Sequence, residues 1–505
     1  MGRTIGLLVL AACALTACDG SPKLAALPSP PTVGPKPGPT HPNIVFVLTD
    51  DLAWNLIKYM PHVRALQQAG MTFTNYTVTD SFCCPSRASI FTGNYPHDTR
   101  IFTNTLPQGG FVKFRDRGEQ NSTFATSLFK AGYRNAFMGK YLNAYQPASS
   151  QPTGDEQKRQ GAWVAPGWSS WGSIGGSGYN EFNYAMADGH RIVSYGGAPK
   201  DYLTTVLDDR ATSFIRSATK HPNPFMVELA TFSPHLPYVP APADRGTFAG
   251  IQEPRTPAFD RLPSPAPSWM RGRHKLPPWQ LRVIRRAWQL RVEDVQSVDR
   301  MVGHLQRTLA QTGQLGKTVF VFSSDNGYHL GEYTLEFGKQ TAFDTDIRVP
   351  LIVAGPGIPA GSVNRDVTQN IDLRPTFEQL AAAATPATVD GHSMVALLHG
   401  ENPSWRKYAL VEHHYPQKAP RDPDAQGVFA GTPPSYVAIR AAHWVYIRYT
   451  VSGEREYYDL TKDPYELHNL GPSLSKARRA QLDRIMSGLE KCHGDAACWA
   501  AASGG

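Results

Sequence analysis

Short, unbroken apolar runs that end abruptly in oxygen-bearing side chains recur along this chain. Ile44-Val45-Phe46-Val47-Leu48 runs into Thr49-Asp50-Asp51, and Val319-Phe320-Val321-Phe322 runs into Ser323-Ser324-Asp325-Asn326-Gly327. A strand without polar alternation is buried on both faces, as in a parallel sheet between helices. Pro224 to Thr231 reads as a further strand, and Gly132 to Asn143 as another strand running into a loop. Pro277 to Gln311 reads as mostly one long helix. Its stripe of Trp288, Leu290, Val292, Val295, Val298 and Met301 packs against the sheet. Past residue 381 the pattern becomes antiparallel: Tyr436 to Arg440, Trp444 to Tyr449 and Glu456 to Leu460 are short strands, and Ser473 to Leu489 is an amphipathic helix. The expected architecture is α/β, with a large mixed, mostly parallel sheet flanked by helices over residues 42–381. A smaller C-terminal antiparallel-sheet subdomain and tail occupies 382–505.

The chain's start reads differently. Arg3, the apolar run Ile5 to Leu15 and the small residues after it form an export signal over 1–18, too short for an ordinary membrane span. Leu15-Thr16-Ala17-Cys18 resembles a bacterial lipobox, which implies lipidation of Cys18; simple cleavage without lipid is the alternative. Residues 19–41 are Pro-rich and read as an extended tether. The expected location is therefore outside the cytoplasmic membrane, either held by the lipid and facing outward or secreted. In an exported chain, Cys492 and Cys498 suit a local disulfide.

At 505 residues and 41% hydrophobic composition, the chain is long and apolar enough for one large α/β domain with an appendage. The formal charge of +8 has no long Lys/Arg run behind it. That argues against nucleic acid as a partner and for a basic mouth that admits an anionic substrate.

The candidate chemistry centres on Ser81-Phe82-Cys83-Cys84-Pro85-Ser86-Arg87-Ala88-Ser89-Ile90-Phe91-Thr92-Gly93. Pro85 fits the first turn of a helix that Gly93 ends. Cys83 then sits at the helix N-terminus, where free N–H groups and the dipole favour a developing anion. Arg87, one turn on, can fold back toward the same point. Elsewhere, the ends of two strands bring three carboxylates and an amide within reach of one hard cation. Taken alone, Asp51 could equally cap the next helix, and Asp325 could belong to an Asx turn.

Cys-x-Pro-Ser-Arg followed by an apolar pair and Thr-Gly resembles the sulfatase signature. The resemblance implies that Cys83 is oxidised to Cα-formylglycine by a dedicated generating machinery, with Cys84 at the variable position and Arg87 as the invariant arginine. It implies Asp50, Asp51, Asp325 and Asn326 as ligands of Ca²⁺, although oxygen donors alone do not distinguish Mg²⁺. Lys140 and Lys339 match sulfate-contacting lysines, and His235, in Ser233-Pro234-His235-Leu236-Pro237, matches a catalytic histidine. His329 is expected as a pocket residue.

Many arylsulfatases carry a histidine where Leu142 stands. Gly139-Lys140-Tyr141-Leu142-Asn143 instead resembles the N-acetylglucosamine-6-sulfatase and heparan endosulfatase branch. The resemblance thus implies a sulfated sugar of the 6-O-sulfo-N-acetylglucosamine type as substrate. Alternatives are another arylsulfatase specificity, a phosphonate or phosphate monoester hydrolase with the same sheet, or a sugar-binding lipoprotein without turnover. The stretch from Gln151 to His190, rich in Gly, Ser and Trp, reads as a loop at the mouth. There Trp168, with Trp163 and Trp171, either stacks on a sugar face or staples a surface flap.

Overall fold

Five parallel strands form the centre of the molecule in the computed structural model, which describes residues 41–147, 163–415, 422, 425–427 and 429–504. The expected export signal, all but the last residue of the tether, and residues 148–162 lie outside the described residues. In chain order the strands are β1 (Asn43–Thr49), β2 (Met71–Phe73), β3 (Tyr76–Thr77), β4 (Arg134–Lys140), β5 (Ser170–Ile174), β6 (Ala185–Asp188), β7 (Arg191–Ser194) and β8 (Phe225–Ala230). They continue as β9 (Thr318–Ser324), β10 (Leu351–Ala354), β11 (Ser362–Asn364) and β12 (Thr368–Gln369), then β13 (Tyr408–His413), β14 (Tyr436–Ala441), β15 (Trp444–Tyr449) and β16 (Arg455–Asp459).

The large sheet has ten strands in the order β11-β2-β10-β9-β1-β8-β4-β5-β6-β7. From β9 to β5 every pairing is parallel; β10, β6 and β7 run antiparallel to their neighbours. β1 shows why its sequence lacks alternation. Ile44, Phe46 and Leu48 enter the core on one face, and Val45 and Val47 enter the core on the other. The helices Pro61–Ala69, Leu203–Ala218 and Pro278–Gln311 cover the second face; Cys83–Thr92, Phe124–Lys130 and Leu373–Leu380 cover the first. The stripe expected on the long helix is buried except at Leu290, which is half-buried.

A four-stranded antiparallel sheet, β13-β14-β15-β16, forms the smaller layer. The helix Lys476–Leu489 packs on it through Leu482, Met486 and Leu489, with Ser475 capping its N-terminus and Cys492 bonded to Cys498 beyond its end. This sheet is joined to the segments that lead into the site: Glu412 N–H donates to Thr79 O, just after β3 (2.8 Å), and Arg440 pairs with Asp344, at the start of the short helix Asp344–Ile347 (2.8 Å). Three of its strands match those expected from the sequence pattern; β13 is an additional one.

The Gly/Ser/Trp-rich stretch differs from expectation. Its described part supplies β5 and β6, which extend the large sheet beyond β4. Ser170-Trp171-Gly172-Ser173-Ile174 is buried from Trp171 to Ile174 although it has no apolar run, because Gly172 and Ser173 stand at buried positions of the strand.

One buried position breaks the apolar grammar. Glu228, in the middle of β8, lies opposite Phe46 and Phe137 and is fully buried. Neither of its carboxylate oxygens has a hydrogen-bonding partner among the described residues. Burial pushes its pKa up to about 8, against a smaller downward pull from Arg87. The folded carboxyl therefore keeps its proton at neutral pH while the unfolded one has lost it. Stability should fall as pH rises from the ordinary carboxyl range of about 4.3 to the folded value, by roughly 1.4 kcal/mol per pH unit. Glu228→Gln removes that dependence. Melting curves from pH 5 to 8 should show the variant gaining steadily on the wild type, and a constant gap would mean that Glu228 is not held neutral.

Candidate active site

The parallel register of β1 against β9 places Thr49 opposite Ser324, so the residues that follow each strand emerge side by side. Asp50 and Asp51 come from one, Asp325 and Asn326 from the other, all buried. Such strand ends are where open α/β sheets hold ligands. Asp51 sits in the left-handed region (φ 63°), a conformation unfavourable for a residue with a Cβ. Its neighbours hold it there: Asp51 N–H donates to Asp325 Oδ1 (3.2 Å) and Leu52 N–H to Ser324 Oγ (2.9 Å).

The helix Cys83–Thr92 points its N-terminus at these four residues, and Gly93 closes it in the left-handed conformation (φ 68°). Cys83 and Cys84 are both buried but face different surroundings. Cys84 is part of the apolar core, where burial pushes its thiol up to about 12. Cys83 Sγ lies 2.6 Å from Lys339 Nζ, 3.4 Å from Asp50 Oδ1 and 3.5 Å from Asn326 Oδ1. Helix geometry alone separates a polar sulfur from an inert one.

Three cations close the ring. Arg87 Nε donates to Asp325 Oδ2 (2.7 Å) and its NH1 to the carbonyl of Lys140 (2.8 Å). Burial works against the guanidinium charge, but Asp325 and Asp50 hold its pKa above the ordinary value. Lys140 Nζ meets Asp50 Oδ2 at 2.6 Å, and Lys339 Nζ meets Asp51 Oδ1 at 2.7 Å. Gly139 allows Lys140 its place: a Cβ at 139 would lie 1.8 Å from Ala230 O, where β4 and β8 approach closely. His235 Nε2 is 3.5 Å from Asp51 Oδ2, and its Nδ1 is 2.6 Å from Leu236 O. That carbonyl calls for a proton on Nδ1, so Nε2 is the ring nitrogen left to exchange one. The ring of Tyr179 lies 4.5 Å from the His235 ring and 5.0 Å from Lys140 Nζ.

Beside Lys140 opens a cavity of about 520 Å³, with Asn143, Gln146, Tyr179, Phe232 and Asp422 in its wall. Leu142, which replaces the histidine of many arylsulfatases, also lines it.

The donor set suits a hard divalent cation. Asn326 Nδ2 donates to Asp51 Oδ1 (2.6 Å) and to Gly327 O (2.9 Å), which turns Oδ1 inward toward Cys83. Asp50, Asp51, Cys83 and His235 offer ligand atoms within 4.8 Å of one another. Asp325 approaches from the Arg87 side. Carboxylate and amide oxygens, with one sulfur and one imidazole nearby, fit oxygen-seeking Ca²⁺ or Mg²⁺ better than a thiophilic metal.

Two sequence-based expectations do not match the placement of their residues. Trp168 is buried among Phe124, Phe137 and Trp171, at ring distances of 5.4 to 6.4 Å, and has no free face for a sugar. Pairing of β5 with β4 draws this indole into the core. His329 is fully buried, with Nδ1 on Asp346 (3.0 Å) and Nε2 on Ala430 O (2.9 Å). Its backbone pairs with Gly338, so it braces the loop that presents Lys339 rather than touching the cavity.

Arg291 escaped the sequence reading. It lies on the buried side of the long helix, with Tyr328 4.1 Å below its guanidinium. One nitrogen donates to Asp51 O (2.5 Å) and another to Pro234 O (2.9 Å), so a single fork spans the Asp51 turn and the His235 loop. The signal was present in the sequence: Trp288, Arg291 and Val295 share one helical face, and a charge there demands partners.

An α/β fold with a nucleophile position ringed by cations and buried carboxylates defines a hydrolase of anionic esters. The family model described as Sulfatase matches residues 42–383, and one described as N-sulphoglucosamine sulphohydrolase, C-terminal, matches 331–491. The chain belongs to the sulfatase family and is a sulfuric ester hydrolase. It is 30% identical to the Homo sapiens N-acetylglucosamine-6-sulfatase over 485 residues, covering 90% of this chain and 86% of that protein. It is 33% identical over 388 residues to a Drosophila melanogaster protein named extracellular sulfatase SULF-1 homolog, covering 74% of this chain but only 33% of that longer protein. The fold matches a solved structure in complex with its substrate D-glucosamine-2-N,6-O-disulfate (TM-score 0.74, 20% identity, 90% of this chain and 98% of that chain). Among the described residues no helix is long and apolar enough to cross a membrane.

Arg291→Lys keeps a buried charge but cannot bridge both carbonyls. Displacement of reacting groups by about 1 Å can cost 10²-fold, so kcat on an aryl sulfate should fall by ~10 to 10² with KM little changed. Steady-state kinetics well below the melting temperature checks this; a lowered Tm with unchanged kcat would reduce Arg291 to a stability role.

Proposed function

We propose that this protein removes the 6-O-sulfate of an N-acetylglucosamine-type sugar, with Cys83 converted to formylglycine and Ca²⁺ held by Asp50, Asp51, Asp325 and Asn326. The observation that carries the reading is the surroundings of Cys83 Sγ, where Lys339, Asp50 and Asn326 approach within 3.5 Å beside a cavity large enough for a sugar ring. A hydrated formylglycine at position 83 would supply the attacking hydroxyl, with Lys339 Nζ and Asp50 Oδ1 already placed against that position. A divalent cation held by Asp50, Asp51, Asp325 and Asn326 would supply Lewis-acid charge at the reacting centre.

The chain's own residues do the rest. Lys140 and Lys339 offset the charge of the ester's sulfate. Arg87, fixed on Asp325, supports the nucleophile side. A sugar alcohol leaves poorly without a proton, and His235 Nε2 and Lys339 Nζ are the two donors at hand. The relative named N-acetylglucosamine-6-sulfatase and the glucosamine disulfate complex support this substrate class. On the same reading, residues 1–18 direct export and lipid attachment at Cys18, residues 19–41 tether a catalytic region over 42–381, and 382–505 form the C-terminal subdomain.

The test uses protein whose conversion at Cys83 has been checked by peptide mass. A panel of 6-O-, 3-O- and 4-O-sulfated hexosamines is assayed beside an aryl sulfate and the aryl phosphate of the same leaving group. Preferred turnover of the 6-O-sulfated sugar is expected. Turnover of the aryl sulfate alone would discard the glucosamine assignment, and preference for the phosphate would discard the sulfate-ester reading. Lys339→Ala and His235→Ala should each lose about 10²–10³ in kcat/KM. Asp325→Ala should lose calcium in a titration calorimeter while keeping its circular dichroism.

A further inference from the structure

From Arg261 to Val292 the chain carries eight Lys and Arg residues and no Asp or Glu, a charge equal to the formal excess of the entire molecule. Part of this segment folds into a groove separate from the catalytic cavity. The groove has a volume of about 470 Å³ and is edged by Arg271, Arg273, His274 and Lys275. Trp279 and Phe429 stand on its wall in an edge-on pair 5.8 Å apart, 47% and 46% exposed. Large aromatics left half in water, beside four basic side chains, are unusual outside binding surfaces.

The local charges are not cancelled in place. Arg271 pairs with Glu454 at 3.1 Å, but His274 and Lys275 are exposed with no carboxylate partner among the described residues. Arg273 donates to Phe429 O (3.3 Å), which ties the basic loop to the aromatic wall. Asp260, the nearest acid in sequence, accepts the Leu276 N–H at 2.7 Å.

We propose that this groove holds a sulfated polysaccharide chain, whose sulfates pair with the basic edge while a sugar ring lies on Trp279 and Phe429. Two observations select that occupant. Sugar rings present apolar C–H faces that match an aromatic wall, and their sulfates match the cations. The groove's wall is also tied to the support of the active site: Phe429 lines it, the next residue's carbonyl accepts from His329 (2.9 Å), and Gln426 Oε1 accepts the Lys339 N–H (3.3 Å). The proposal rests on the reading that the substrate is a sulfated sugar, and extends it from a single residue to a chain.

The test is binding of full-length protein to size-defined heparin fragments by calorimetry at two salt concentrations. Lys275→Glu and Trp279→Ala, singly and together, are compared with wild type. The double variant should bind at least tenfold more weakly, with the loss greatest at low salt, and its KM for polymeric substrate should rise in step. Its kcat/KM for a small aryl sulfate should stay within twofold. If Trp279→Ala fails to fold, the exposed Lys275→Glu decides alone, with a threefold loss expected.

Heparin affinity unchanged in the variants overturns the proposal. So does equal binding of single-stranded DNA or phosphatidylglycerol vesicles with the same loss in the variants, since the groove would then read charge alone. Variant-sensitive heparin binding in a protein that turns over only the aryl ester keeps the groove and refutes the sugar-substrate reading instead.

Discussion

Burial of three carboxylates against three cations is the constraint on which this molecule depends. Asp50, Asp51 and Asp325 face Lys140, Lys339 and Arg87, and all six side chains are almost completely withdrawn from solvent. None could be buried alone, because an unpaired charge in such surroundings is strongly destabilising. The groups come from β1, β9, β4, the Cys83 helix and the loop after His329. Each pairing therefore requires the sheet register and the helix placement to be right at once.

The same constraint explains why elements far from the cavity matter to it. The long helix packs as an ordinary apolar stripe except at Arg291, whose fork bridges the Asp51 turn and the His235 loop. The C-terminal layer joins the large sheet's core through Val411, Ala438, Val445 and Ile447 and also braces the loops around the site. Tyr436 Oη donates to Gln340 O, the residue after Lys339, and His413 Nδ1 meets Asp80 at 3.1 Å, three residues before Cys83. A charged ring tolerates little play, so its supports extend across both sheets.

The tryptophans of the Gly/Ser-rich stretch show the limit of composition as a guide. Aromatic residues near glycines suit a sugar platform equally well as a staple, and only the pairing of β5 with β4 separates the two. It drew Trp168 and Trp171 into a cluster with Phe137, while Tyr179 took the place on the cavity wall. His329 is a similar case. Closeness in sequence to Asn326 suggested a pocket residue, but the side chain turned to Asp346.

What the sequence determined by itself is the part written in local pattern. The unbroken apolar runs of β1 and β9 specify strands buried on both faces, and β8 follows the same pattern except at Glu228, whose burial holds its carboxyl neutral. Pro85 and Gly93 mark the helix that carries Cys83, since each residue suits the position that only it fills cheaply. Asp50, Asp51, Asp325 and Asn326 were legible because they end strands, where a parallel sheet leaves room for ligands. Tertiary structure alone decided which way side chains faced and what met across the fold. Register set Asp51 beside Asn326, more than two hundred residues away in the chain. Helix packing turned Arg291 toward two carbonyls, and close approach of β4 to β8 demanded Gly139. These are contacts between distant segments, and their energies depend on burial that no single stretch of chain can report.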